Sequence, residues 1–228
     1  NLRDTCRALA GNLDKYIIDN TVVAVSWGNT LNCLAGQIQP LKAKDIKVVQ
    51  LNGGVAKSAS STGASQIVDA LTMAGHGIGY MFPVPAIVDS KHTSEILQEE
   101  TQVKNVLRLA KEAEVSIFSI GALSKDSILY EVEYLKDEDF QALEKNKAVG
   151  DIASRYFDIN GNIALKELDD RVVGFGLEEL REKEWTIAIA VGVNKVDAII
   201  GALRAGFMNV LYTDEKTARE ILNRNLLG

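Results

Sequence analysis

The chain has 228 residues, of which 46% are hydrophobic and 25% are charged, and its formal net charge is −6. This length is enough to bury a substantial core, as one large domain or two small ones. The acidic balance disfavours direct binding to nucleic acid, because phosphate contacts need clustered lysine and arginine. No apolar stretch approaches the roughly 20 residues needed to cross a bilayer, and no signal peptide opens the chain. We therefore expect a cytoplasmic protein without a membrane partner.

The first segment, residues 1–19, carries apolar residues near helical spacing and predicts an amphipathic helix. Cys6 and Cys33 lack CxxC spacing, so we interpret them as reduced thiols rather than as disulfide partners or zinc ligands. His76 and His92 stand apart from both cysteines, so a metal centre would lack ligands. The sequence predicts neither a metal nor a cofactor.

Short apolar runs then alternate with helical patterns along most of the chain. This alternation predicts an α/β fold with a mostly parallel, Rossmann-like sheet that helices cover on both faces. In such a sheet a ligand belongs at the carboxyl ends of the strands, where the loops to the helices lie. The predicted strands are Val22–Val25, Ile46–Leu51, Ile78–Phe82, Val115–Ile120, Thr186–Val191 and Asn209–Thr213. The predicted helices are Thr30–Gln37, Ala64–Met73, Val103–Glu112, Lys195–Ala205 and Glu215–Leu222.

The region of roughly 125–180 departs from this alternation. An acidic helix is expected around Asp137–Lys145, and Asn160-Gly161 between apolar runs is a strong hairpin signal. We interpret the region as a small inserted α+β segment on the main sheet rather than as a separate domain. The whole chain, 1–228, is accordingly predicted to be a single domain.

The most informative segment follows the first predicted strand and reads Ser26-Trp27-Gly28-Asn29-Thr30. A strand that ends in a small polar turn and opens at once into a helix presents free backbone N–H groups to an anion. Gly28 allows close backbone approach, and Ser26 and Thr30 add hydroxyl groups. These features are typical of a phosphate site, and a plain helix-capping loop is the alternative.

Glycine and small polar residues also follow other predicted strands. Asn52-Gly53-Gly54 is able to form a backbone nest or a plain turn, and Gly121 follows the fourth strand. Lys195 comes shortly after the fifth strand, at a helix start, where positive charge opposes the helix dipole. An anionic ligand would compensate for that charge, and a lysine that faces solvent is the alternative.

Asp151 lies among small and apolar neighbours in the segment 148–152. Its carboxylate is able to accept hydrogen bonds from sugar hydroxyls or to cap the next helix, and the sequence leaves both open. Taken together, the clusters at the strand ends predict a phosphorylated, hydroxyl-rich small molecule as the ligand. The motifs for nucleoside triphosphates and dinucleotides are absent, and no catalytic base with a partner is evident. A binding site of this kind favours a sensor over an enzyme.

Ordered segments along essentially the whole chain resemble the effector-binding domain of SorC/DeoR-type bacterial transcriptional regulators. The matching segments are Val25–Leu31, Val48–Gly54, Ala148–Ile152, Arg155–Asp158 with Gly161, Gly192–Leu203, Asn209–Leu211 and Thr213–Ala218. The resemblance implies a fold similar to ribose-5-phosphate isomerase and glucosamine-6-phosphate deaminase. It also implies a homodimer or homotetramer and a helix-turn-helix, absent from these residues, that binds operator DNA. A phosphorylated sugar effector would alter operator binding through the oligomer.

The same resemblance assigns the matching positions to one sugar-phosphate pocket. The phosphate-binding turn would consist of Gly28, Asn29 and Thr30. The sugar pocket would be lined by Asn52, Gly53 and Gly54, with Thr62 in the following loop. Asp151 would meet sugar hydroxyls, and Lys195 would neutralise phosphate. The chain differs from the family pattern at Asn52, where relatives can carry a basic residue.

We therefore predict a sugar-phosphate-sensing domain without catalytic residues. A sugar-phosphate isomerase or deaminase is the first alternative, because fold does not decide function. Asp151 or a glutamate such as Glu178 would then act as the base. The second alternative is an oligomerisation module whose pocket has lost its ligand.

Overall fold

The computed structural model of the protein describes residues 1–55 and 64–225. All six predicted strands form, with ends that differ from the expected ones by at most two residues. The strands are β1 (Val22–Val25), β2 (Lys47–Gln50), β3 (Ile78–Tyr80), β4 (Val115–Ser119), β5 (Gly121–Ala122), β6 (Ala148–Ile152), β7 (Arg155–Asp158), β8 (Trp185–Ile189) and β9 (Val210–Tyr212). The helices are α1 (Leu2–Ala10), α2 (Asn29–Ala35), α3 (Ala64–Ala74), α4 (Lys91–Glu99), α5 (Thr101–Glu112), α6 (Ile128–Glu131), α7 (Asp137–Lys145), α8 (Lys166–Asp169), α9 (Val196–Arg204) and α10 (Glu215–Asn225).

The main sheet is parallel throughout and has the strand order β3-β2-β1-β4-β8-β9. β1 pairs with β2 on one side and with β4 on the other, so that Val25 aligns with both Gln50 and Ile117. The chain builds one half of the sheet outward from β1 and then returns to build the other half. This reversal opens a crevice at the carboxyl ends of β1 and β4, where ligands of such sheets bind.

Helices cover both faces of the main sheet, as predicted. Successive strand residues point to opposite faces, so Ala24 packs toward α5 and α9, whereas Val23 and Val25 pack toward α1, α2 and α3. Most residues of β1, β4 and β8 are buried, which explains why these strands appear in the sequence as short continuous apolar runs.

Between β4 and β8 the chain forms a small antiparallel sheet in the order β5-β6-β7. Its own hydrophobic cluster includes Leu129, Phe140, Leu143 and Tyr156. Because β5 starts two residues after β4, this sheet stands beside the carboxyl edge of the main sheet. The predicted α+β insertion is therefore present, and it begins a few residues before position 125.

The helix expected over residues 1–19 is shorter than predicted. It ends at Ala10, and Gly11 is its C-cap. The side chain of Asn12 donates to the carbonyl oxygen of Ala8 at 2.7 Å, a bond that competes with continuation of the helix. A short 3₁₀ helix, Leu13–Lys15, follows.

The turn predicted at Asn160-Gly161 forms, with Gly161 at φ +81°. The second strand of the predicted hairpin is reduced to a single bridge between Phe157 and Ile163. The carboxylate of Asp158 accepts the N–H of Asn160 at 2.8 Å, so the turn is held by a side chain more than by a ladder of backbone bonds.

Both cysteines are free, in agreement with the prediction of reduced thiols. Cys6 is fully buried, and its thiol donates to the carbonyl oxygen of Thr30 at 3.7 Å. Burial, with a smaller contribution from Cys33, raises the pKa of the Cys6 thiol to about 12. Over residues 1–55 and 64–225, no helix has the length and apolar character needed to span a membrane.

Candidate functional site

The polar turn after β1 passes directly into α2, as the sequence predicted. Gly28 lies at φ +126°, which favours glycine, and immediately precedes the first helical residue, Asn29. The indole Nε1 of Trp27 donates to the carbonyl oxygen of Gly53 at 2.8 Å, which joins the turn to the segment after β2. The first N–H groups of a helix have no partner within it, so this turn is able to offer donors to a ligand.

A cavity of about 290 Å³ lies at the carboxyl edge of the main sheet, bounded on one side by the small antiparallel sheet. The segments that follow β1, β2, β4 and β8 all contribute to its lining. Eight of the predicted site residues line it together, namely Ser26, Gly28, Asn29, Thr30, Asn52, Gly121, Asp151 and Lys195. The turn after β1 and the lysine after β8 therefore face the same space.

Two other predicted residues, Gly53 and Gly54, are not among the lining residues. Their backbone N–H groups donate to the carbonyl oxygens of Val173 at 3.1 Å and Val84 at 2.9 Å. These glycines thus pack their backbone against neighbouring segments, and the turn does not form an open nest. Thr62 lies outside the described residues, and its predicted role stays a prediction.

Asp151 lies within β6 and does not cap a helix. Its Oδ2 accepts the backbone N–H of Ser154 at 3.1 Å, because β6 turns directly into β7. The helix-cap alternative is therefore wrong. Gly121 packs against the carboxylate, and a Cβ atom at position 121 would overlap Oδ1 of Asp151. Burial raises the pKa of Asp151 to about 6, although the Ser154 N–H and the charge of Lys195 act in the opposite direction.

Lys195 ends the 3₁₀ turn Val193–Lys195, directly before α9. It is partly buried and lines the cavity, which argues against the alternative of a lysine that faces only solvent. Desolvation lowers the pKa of Lys195, and the charge of Asp151 partly offsets that effect. No ion pair joins these two side chains within 4.0 Å. Among the lining residues that the structure describes, Lys195 is the only basic one.

Within the part of the chain that the structure describes, two buried polar atoms of the lining have no hydrogen-bond partner, Oγ of Ser26 and Oδ1 of Asn52. The residues are 3% and 2% exposed, respectively. The other end of the Asn52 carboxamide is satisfied, because Nδ2 donates to Oγ of Ser154 at 3.1 Å. An unsatisfied buried polar atom costs about 1–3 kcal/mol, so a ligand that supplies the missing partner gains from doing so.

Several lining residues were not predicted. Most carry hydroxyl, amide or carboxylate groups, and they include Ser119, Ser124, Asp126, Ser127, Ser154 and Asn194. The run from Ser124 to Ser127 had a usable signal, since small polar residues follow a strand there. Ser154 had none, because its position depends on how β6 and β7 pair.

Of the two residues named as a possible base for an enzyme, Asp151 lines the cavity and Glu178 does not. Glu178 has a side chain 73% exposed, forms an ion pair with Arg181, and is not among the lining residues. Within the described ranges, no group of three or more His, Cys, Asp or Glu residues is placed to hold a metal ion.

Comparison with known proteins matches residues 1–223 to the family described as "Putative sugar-binding domain". The chain is 33% identical over 220 residues to the deoxyribonucleoside regulator of Bacillus subtilis (strain 168), covering 96% of this chain and 70% of that protein. It is 31% identical over 208 residues to the transcriptional regulator LsrR of Escherichia coli (strain K12), covering 88% of this chain and 62% of that protein.

A solved structure, that of a DeoR family transcriptional regulator from Listeria monocytogenes, is also similar. Its TM-score is 0.88 at 27% sequence identity, and the match covers 96% of this chain and 87% of that one. These relatives are regulators rather than enzymes, which confirms the prediction that the chain is not an enzyme. The chain belongs to the sugar-binding domain family of SorC/DeoR-type transcriptional regulators.

Proposed function

We propose that the cavity is the effector site of this regulator domain and that the effector is a phosphorylated sugar. The observation that carries the proposal is that Lys195, the turn Gly28–Thr30 and the unpartnered oxygen of Asn52 line one cavity. These groups complement different parts of one molecule. A phosphate needs positive charge and N–H donors, whereas sugar hydroxyls need acceptors.

The phosphate would lie between the turn and Lys195. Gly28, Asn29 and Thr30 are placed to offer backbone N–H groups and a hydroxyl, and Lys195 supplies the charge. Because Lys195 is partly buried, its interaction with an anion is screened less than it would be at the surface. Among residues 1–55 and 64–225 it has no ion pair to break on binding, so the phosphate would gain a charge-assisted bond directly.

The sugar would lie against Ser26, Asn52 and Asp151. The carboxamide oxygen of Asn52 and the ionised carboxylate of Asp151 both accept hydrogen bonds, and a hydroxyl both donates and accepts. Asp151 is ionised above its pKa of about 6, so at neutral pH it would act as an acceptor.

The regulatory role follows from the family. One relative is a deoxyribonucleoside regulator, and deoxyribonucleosides contain a pentose, which makes a pentose phosphate one of the first candidates. We propose that the effector shifts the balance between oligomeric arrangements of a cytoplasmic homodimer or homotetramer. Those arrangements would differ in affinity for operator DNA, bound through a helix-turn-helix outside these 228 residues. The similarity of the fold to that of sugar-phosphate isomerases stays a prediction.

Thermal unfolding in the presence of ribose 5-phosphate, 2-deoxyribose 5-phosphate and glucosamine 6-phosphate tests the proposal. A ligand that binds only the native state stabilises it by about 2.7 kcal/mol at 100 times its Kd. For a chain of this size that corresponds to a rise in Tm of about 5–10 °C. We expect at least one phosphorylated sugar to raise Tm, and its unphosphorylated form to have little effect. No response to any member of the panel would contradict the proposal and favour the oligomerisation module.

A further inference from the structure

The connection between β6 and β7 has an unusual backbone. It consists of two residues, Ala153 and Ser154, and both have positive φ, +51° and +70°. This is the pattern of a type I′ turn, which normally carries Asn-Gly or similar residues because left-handed backbone is unfavourable for most side chains. Neither alanine nor serine is favoured there, so contacts made by the turn must hold it.

Within the described residues Ser154 makes two hydrogen bonds, and both are with predicted site residues. Its backbone N–H donates to Oδ2 of Asp151 at 3.1 Å. Its Oγ accepts Nδ2 of Asn52 at 3.1 Å, and Ser154 itself is only 3% exposed. One buried serine therefore contacts the two side chains that the proposed function assigns to the sugar.

Other residues also confine Asn52. Gly174 packs against its Cα and Cβ, and a side chain at position 174 would overlap both atoms. The Gln50 side chain donates to the backbone carbonyl of Asn52 at 2.7 Å. These contacts fix the position of Asn52, and among the described residues Ser154 is the hydrogen-bond partner of its carboxamide. The Ser154 bond therefore holds the carboxamide in place beside the cavity.

The residue after the turn anchors it. Arg155 donates through Nε to the carbonyl oxygen of Phe175 at 2.7 Å and through Nη2 to that of Gly174 at 3.1 Å. The turn and the segment behind Asn52 are thus tied to one guanidinium group. This arrangement explains how the left-handed turn persists without glycine.

We propose that Ser154 is a positioning residue for effector specificity. Through its bonds to Nδ2 of Asn52 and Oδ2 of Asp151, it holds in fixed positions the two side chains that the proposed function assigns to the sugar. The inference rests on the proposed function, since it concerns the sugar end of the same cavity. Without the Ser154 hydroxyl, the carboxamide loses this hydrogen bond and its fixed position, and the affinity for the sugar falls.

The variant Ser154→Gly tests the proposal, with Lys147→Gly as the matched control. Both positions are left-handed, at φ +70° and +57°, but Lys147 is exposed and does not line the cavity. Both variants relieve the strain of a left-handed residue, but only Ser154→Gly removes the hydroxyl that bonds Asn52. For the most stabilising of ribose 5-phosphate, 2-deoxyribose 5-phosphate and glucosamine 6-phosphate, we expect affinity to fall about tenfold in Ser154→Gly alone, as for one lost hydrogen bond. The affinity of both variants for inorganic phosphate should stay at the wild-type value. Unchanged affinity of Ser154→Gly for that sugar phosphate, or an equal loss for inorganic phosphate, overturns the proposal.

A second measurement is independent of any effector. The side-chain amide resonances of Asn52, assigned by their disappearance in Asn52→Leu, report its bond to Ser154 in a ¹⁵N-labelled protein. We expect slow amide-proton exchange in wild type and Lys147→Gly, and fast exchange in Ser154→Gly. Equal exchange in all three overturns the positioning role. If no sugar phosphate binds wild type, the proposed function fails, and this measurement still decides whether Ser154 orients Asn52.

Discussion

Two of the pairs of opposite charges in the interior of the described residues are arranged in opposite ways. Arg155 and Asp169 form an ion pair at 2.7 Å, with side chains 11% and 16% exposed. Asp151 and Lys195 influence each other's pKa, yet no ion pair joins them, and both line the cavity. We call the first pair closed, because its two charges bind each other, and the second pair open, because its charges are available to a ligand.

The difference shows that the closed pair holds the neighbouring segments in place, whereas the open pair leaves the charge of Lys195 available to a ligand. The guanidinium of Arg155 also donates to the carbonyl oxygens of Phe175 and Gly174, so the closed pair belongs to a satisfied network. Such networks hold a structure in place, and breaking one leaves buried groups without partners. Lys195 has no comparable partner among the described residues, which leaves its charge for an anionic ligand.

The largest expected effect comes from breaking the closed pair. Arg155→Met should lower the free energy of unfolding by about 3–5 kcal/mol, because it leaves the Asp169 carboxylate and three carbonyl oxygens without their donor. Urea denaturation measures this change. The control is Arg219→Met, whose ion pair with Glu215 is 73% and 78% exposed and should contribute less than about 1 kcal/mol. Equal losses in the two variants would show that the Arg155 network is not structural.

The second prediction concerns the open pair and the role of Lys195 in phosphate binding. Lys195→Ala should weaken binding of sugar phosphates by about 1.5–3 kcal/mol, because one charge-assisted contact is lost. Binding of the corresponding free sugars should change little. Isothermal titration with both ligand types measures the difference, and Lys216→Ala removes an equal charge from the exposed surface of α10 as a control. Equal weakening of both ligand types would mean that Lys195 does not contact phosphate.

The smallest expected effect concerns Asp151 and pH. The pKa of Asp151 is about 6 in the folded chain, and its reference value, taken for the unfolded chain, is 3.8. As pH rises, the unfolded chain therefore releases this proton before the folded chain does. The stability that Asp151 contributes is present below about pH 3.8 and is lost as pH rises through about 6. Asp151→Asn should remove this dependence and stabilise the ligand-free domain at pH 7.5 by on the order of 1–2 kcal/mol, with partial exposure reducing the full effect.

Thermal or urea unfolding of wild type and Asp151→Asn at pH 4 and pH 7.5 measures that difference. We expect nearly equal stabilities at pH 4 and a more stable variant at pH 7.5. A variant that is less stable than wild type at both pH values would show that the carboxylate is needed for the fold, and the comparison between closed and open pairs would fail.

Much of the fold was predictable because the central strands of the main sheet are buried on both faces. β1 and β4 are continuous apolar runs in the sequence, and polar or glycine-rich turns follow them. Parallel strands place their carboxyl ends at one edge, so residues as distant in sequence as Thr30 and Lys195 were expected to meet there. They do line the same cavity.

The glycines after β2 show where such pattern-based prediction stops. Gly53 and Gly54 resemble a ligand-binding nest in the sequence, but their N–H groups bond to Val173 and Val84. A glycine pair indicates only that backbone approaches closely at that point. Whether a ligand or another segment of the chain approaches depends on packing that no local pattern encodes.

The sequence by itself determined the parallel α/β architecture, the edge at which a ligand would bind, and the residues after β1 and β8 that offer donors and charge. These features follow from local periodicity and from the geometry of parallel strands. Only the tertiary structure decided that Asn52 leaves its oxygen unpartnered and that Ser154 lies in a left-handed turn. Those outcomes depend on the contacts of Arg155 and Gly174, which come together only when β6 and β7 pack beside the main sheet.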